Sequence, residues 1–87
     1  MKKKLKIKNK LGLHARAAAK FVEITNKFDS EIIVSVGNHT FDGKSIMGLL
    51  SIGIKNGQEI ELAISGPDED EAFEAIKNLI DKELVGL

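Results

Sequence analysis

A chain of 87 residues has room for one hydrophobic core and not two, so residues 1–87 are read as a single domain. It contains no cysteine, which excludes a disulfide framework and any thiolate metal site. Thirteen Lys and Arg balance thirteen Asp and Glu, and Trp and Tyr are absent, so the basic excess and stacking aromatics of a nucleic-acid binder are missing.

No apolar run approaches the roughly 18–20 residues of a membrane span. The lysine-rich start, with lysine at positions 2, 3, 4, 6, 8 and 10, lacks the apolar segment of a signal peptide. The expectation is a soluble cytoplasmic protein with no nucleic acid and no membrane among its partners.

Lys2 to Lys8 alternates, with Leu5 and Ile7 inward, and reads as a half-buried strand. Asn9 to Leu13 is loop, and Gly12 is a turn residue. Strong helix formers then run from Arg16 to about Phe28, with Ala18, Phe21, Val22, Thr25 and Phe28 as the apolar stripe. Glu31 to Val36 is a second strand, and Gly37-Asn38 is a two-residue hairpin signal returning along His39 to Asp42. His39 is read as an exposed bystander.

Ser45 is placed to cap a short helix, Ile46 to about Ile52, closed by Gly53. Glu59 to Ser65 alternates again, with Ile60, Leu62 and Ile64 inward. Asp68-Glu69-Asp70-Glu71 fits a capping box, with Asp68 as the cap. The last helix should bury Ala72, Phe73, Ile76, Leu79, Ile80 and Leu84. The order is therefore β-α-β-β-α-β-α. Each strand has one apolar face, so a four-stranded antiparallel sheet with three helices on one face is expected.

The stretch that carries chemistry is Gly12-Leu13-His14-Ala15-Arg16-Ala17. His14 lies beside the first N–H groups of a helix, which lack intrahelical acceptors and sit at the positive end of its dipole. Imidazole, ordinarily titrating near pH ~6.5, is a nucleophile available in neutral form at physiological pH. The amides of Arg16 and Ala17 and the Arg16 guanidinium can spread charge over a transferring phosphoryl group. No grouping has metal-ligand spacing, and neither a metal nor a cofactor is implied.

G-L-H-A-R followed by a helix, with K-S-I-M-G-L-L-S-I-G about thirty residues on, resembles the HPr family, the histidine-containing phosphocarriers of the bacterial phosphoenolpyruvate-dependent phosphotransferase system. The likeness covers essentially the whole chain. It implies the open-faced β-sandwich of HPr-like proteins, an α+β fold. It also implies a carrier, not a turnover enzyme: His14 accepts phosphate on Nδ1 from enzyme I and passes it to IIA proteins. Ser45 then corresponds to the serine that a dedicated kinase phosphorylates in some bacteria. A serine kinase/phosphatase and a transcriptional regulator join the partners so implied. Met47 and Leu50, with Lys20, are expected to form the docking patch beside His14.

The common motif has proline where this chain has Ala17. The H-A-R-A-A-A-K-F-V form resembles the nitrogen-related branch, which serves regulation more than sugar uptake. The reading from another class is a regulatory module that controls partners by docking alone, as HPr-like proteins without the histidine do.

Overall fold

A computed structural model describes residues 1–87. The strands are β1 (Lys2–Lys6), β2 (Glu31–Val36), β3 (His39–Asp42) and β4 (Glu59–Ser65). The helices are α1 (Ala15–Thr25), α2 (Ile46–Ile52) and α3 (Glu69–Asn78), the last continued by a π-helical turn, Leu79–Glu83. The sheet runs β1-β4-β2-β3 and every neighbouring pair is antiparallel.

Period-two alternation puts Ile32, Val34 and Val36 of β2 and Ile60, Leu62 and Ile64 of β4 on one face, all buried. The three helices cover that face with Ala17, Ala18, Phe21, Leu49, Ala72 and Ile76, and the π-helical turn adds Leu79 and Ile80. The other face stays open. Its lysines and glutamates stand side by side, as in Lys4 opposite Glu61 and Lys6 opposite Glu59.

Several local expectations need correction. The first strand stops at Lys6, not Lys8, because β4 begins only at Glu59. Ile7 instead exchanges backbone hydrogen bonds with the turn, at 2.9 Å to the Gln58 carbonyl and 2.8 Å from the Gly57 amide.

The first helix starts at Ala15 and ends at Thr25, short of Phe28. Asn26 ends it by donating its side-chain amide to the Val22 and Lys44 carbonyls, while the buried Thr25 hydroxyl donates to the Gly43 carbonyl at 2.8 Å. Ala17 belongs to the buried stripe, and Val22 and Phe28 only pack against its margin. Phe73 is likewise half-buried, with the Lys3 ammonium 5.9 Å from its ring centroid.

Asp68 forms no capping box. Its side chain makes no cap hydrogen bond on α3 and accepts instead from the Asp29 amide at 2.9 Å, the Ser30 amide at 3.0 Å and the Ser30 hydroxyl. These bonds, the Ser30 hydroxyl first, hold the Asp68 carboxyl below its ordinary range. The carboxylate fastens the α1–β2 turn to the start of α3.

The last helix also widens. The Leu84 amide reaches back to the Leu79 carbonyl at 2.8 Å, and Asp81 in that turn accepts from the Lys8 ammonium at 2.9 Å. That hydrogen bond from Lys8 depresses the Asp81 carboxyl too.

Candidate functional site

The loop leading to His14 is built before the histidine is reached. Asn9 is buried and donates its side-chain amide to the Gly12 carbonyl at 2.6 Å, while the Gly12 amide returns to the Asn9 carbonyl at 3.1 Å. Gly12 has φ +66°, and a Cβ there would run into the Ile54 carbonyl oxygen. Only glycine permits both the left-handed turn and that approach. Leu13 is buried, and its amide donates to the same Ile54 carbonyl at 2.9 Å. The chain therefore enters α1 clamped to the residue just beyond α2.

His14 is the N-cap of α1. Its backbone is extended (φ −73°, ψ −180°), its carbonyl accepts from the Ala18 amide at 2.8 Å, and its Nδ1 accepts from the Arg16 amide at 3.3 Å. Ser, Thr, Asp and Asn ordinarily fill this role with a side-chain oxygen; here an imidazole nitrogen does. An Nδ1 that accepts leaves the ring proton on Nε2. Nε2 is shielded from solvent and has no hydrogen-bond partner. The two ring nitrogens are thus unequal: one carries a lone pair toward the helix amides, and the other is shut away.

Arg16 and Lys20 of α1 are exposed and neither makes an ion pair. The Ala15 and Ala17 amides have no acceptor. Ala17 is fully buried, so the first turn rests directly on the core.

Helix α2 runs antiparallel to α1, because its start meets the end of α1 through the Asn26–Lys44 contact and its end meets Leu13 through Ile54. Of its residues, Leu49 is buried, Met47 is 73% exposed and Leu50 is 37% exposed. Ser45 caps α2, its hydroxyl accepting from the Gly48 amide at 3.2 Å. It sits at the far end of α2 from Ile54, roughly 10 Å along a seven-residue helix.

Two residues of this neighbourhood escaped the sequence reading. Leu11, 63% exposed in the loop just before His14, is an apolar side chain with no core to join. Its signal was its place between Lys10 and Gly12, where an inward strand residue is not expected. Asn9 sets the turn through a bond that composition does not announce. His39 is exposed on β3. No three His, Cys, Asp or Glu side chains converge in metal-binding geometry, no helix is long and apolar enough to cross a membrane, and no surface hollow is lined by His14.

Fold and site together define an open-faced α+β protein built around a histidine that caps its first helix. The family model of the phosphotransferase-system HPr component phosphorylation site matches residues 1–82. The phosphocarrier protein HPr of Neisseria meningitidis serogroup A is 45% identical over 80 residues, 92% of this chain and 90% of that protein. The HPr-like protein Crh of Halalkalibacterium halodurans is also 45% identical, over 95% of this chain and 99% of its own. Among solved structures, HPr-C-His from Thermoanaerobacter tengcongensis superposes with a TM-score of 0.92 at 43% identity, covering 97% of this chain and 94% of that one.

The chain belongs to the HPr family of the phosphotransferase system, and with the family comes a phosphocarrier role in that system.

Proposed function

We propose that His14 takes a phosphoryl group on Nδ1 from phosphorylated enzyme I and gives it to IIA proteins of the phosphotransferase system. The observation that carries this reading is the inequality of the ring nitrogens: Nδ1 faces the helix amides and Nε2 is occluded. In the forward step the Nδ1 lone pair attacks phosphorus and an N–P bond forms. The bond from phosphorus to the donor breaks, and its electron pair stays with the donor. The proton remains on Nε2.

The Arg16 amide, freed from Nδ1, and the Ala17 amide can then donate to the phosphoryl oxygens, with the Arg16 guanidinium as a further donor. An exposed site with few fixed ligands suits a carrier, which must release what it binds.

Leu11, Met47 and Leu50, with Arg16 and Lys20, form the docking surface for the donor and acceptor proteins: exposed apolar side chains beside unpaired cations. Ser45 is the regulatory phosphorylation site. A phosphate there would meet the free amides of α2 and add nearly two negative charges to the docking side, disfavouring acidic partners. Because it lies about a helix length from the His14 loop, it would act on docking and not on the imidazole itself. The second reading is that the same surface regulates partners by docking without transfer.

Labelled phosphoenolpyruvate with enzyme I tests the main reading. The chain should gain an acid-labile phosphate that His14→Ala cannot acquire. Label on both proteins would place the acceptor at a residue other than His14, and label on neither would leave only the docking role.

A further inference from the structure

The sheet has two edges, β1 and β3, and they are not alike. In an antiparallel pair, alternate residues turn their N–H and C=O groups toward the neighbouring strand, and the residues between turn theirs away. The Ile64 amide reaches the Met1 carbonyl at 2.9 Å, and the Ile7 amide reaches the Gln58 carbonyl. The register between these bonds aims the backbones of Lys3 and Leu5 at β4 and those of Lys2, Lys4 and Lys6 outward. No other segment hydrogen-bonds to the backbones of those three lysines. On β3 the same alternation aims Thr40 and Asp42 outward. There, however, the Asp42 carbonyl accepts from the Ser45 amide at 3.1 Å, and Gly48 of α2 packs against Phe41. The open edge is β1.

The three residues with outward backbones also share the uncovered face of the sheet, so a row of exposed ammonium groups follows this edge. Lys4 lies 4.0 Å from Glu59, with both side chains more than half exposed. Lys2 and Lys6 make no ion pair, and Lys2 stands opposite Ala63. Glu59 and Glu61 of β4 are the carboxylates on the inner side of the row. On the helix side of the same edge lie half-buried Leu5 and Phe73, with Lys3 over the Phe73 ring. A second copy of the chain, added antiparallel, would set lysine against lysine across the new ladder, and like-charge repulsion opposes that.

We infer that β1 is a docking edge for an extended acidic segment of a partner protein, which joins the sheet as a fifth, antiparallel strand. The backbones of Lys2, Lys4 and Lys6 supply the ladder, and their ammonium groups meet Asp or Glu at every second position of the segment. Apolar residues between the acids turn toward Leu5 and Phe73. Helix α2 packs beside β3, at the other edge of the sheet, so this edge is separate from the surface around Met47 and Leu50.

The test titrates the nitrogen-labelled chain with a blocked peptide, Thr-Glu-Val-Glu-Val-Glu-Thr, and follows amide hydrogen exchange by NMR. With peptide at about ten times its Kd, exchange at the Lys2, Lys4 and Lys6 amides should slow about tenfold, because only the unbound fraction exchanges. A peptide with lysine for glutamate should leave the three amides unprotected, as should one whose glutamates are N-methylated and so keep their charge without their donors. Protection by the lysine peptide would remove the charge selection, and equal binding of the N-methylated peptide would reduce the contact to charge attraction without a strand; either overturns the inference. So does an acidic peptide that perturbs only Arg16 and Lys20, or that protects nothing at millimolar concentration. Protection that rises with protein concentration in the absence of peptide would give the edge to a second copy and overturn it as well.

Discussion

Gly12 and Arg16 flank His14 and act on it in separable ways. Gly12 works through geometry, since its φ of +66° and its approach to Ile54 hold the loop that delivers the histidine. Gly12→Ala should therefore cost about 2–4 kcal/mol in denaturant unfolding, the range for a side chain forced into a strained backbone against a neighbouring carbonyl. An unchanged unfolding midpoint would show that the loop relaxes freely. Arg16 is exposed and without an ion pair, and in the proposed function it works through charge. Arg16→Ala should leave the melting temperature in place while slowing phosphoryl transfer by about tenfold or more, as expected for a lost transition-state contact. Equal transfer rates would reduce Arg16 to a solvated side chain.

Among the elements, the strands were legible and the joins between elements were not. Ile32, Val34 and Val36, and again Ile60, Leu62 and Ile64, alternate so regularly that one buried face follows from the pattern. Asp68 misled because an acidic residue ahead of a helix fits a cap, and nothing local reveals that its partners are 38 and 39 residues away. Ala17 was unreadable for a different reason, since a small side chain carries little signal of which face it occupies.

The sequence did place His14 at a helix start. It could not say that the ring itself is the cap, because that depends on where Nδ1 points. The Asp68 join also titrates. Its carboxyl is depressed in the folded chain, so on acidification the unfolded state takes up its proton first, near the ordinary pH of ~3.9. Its stabilisation is complete above that pH and is lost as pH falls toward the lower folded value. Melting temperatures measured across pH ~5 to ~2 should fall less steeply for Asp68→Asn than for the parent; parallel curves would remove Asp68 from the acid response.

For the molecule as a whole, α2 has one side buried in the core and one side exposed, which the proposed function gives to partners. Leu49 is buried, and Leu49→Ala should cost about 2–5 kcal/mol, shifting the melting temperature by roughly 4–8 °C for each kcal/mol. Met47 is 73% exposed, so Met47→Asp should unfold within about 0.5 kcal/mol of the parent while transfer from enzyme I weakens. A Met47→Asp chain that unfolds would place that side chain in the core instead. One helix can thus serve stability and recognition separately, because residues two positions apart face different ways.

The claim beneath all of this is that the acceptor is one particular nitrogen. Phosphorus and nitrogen NMR of the enzyme I-charged protein, with its histidines labelled in the ring, reads that atom directly. The phosphoryl group should couple to His14 Nδ1 and the proton should remain on Nε2. Coupling to Nε2, or to His39, or phosphate found on no histidine at all, would contradict it.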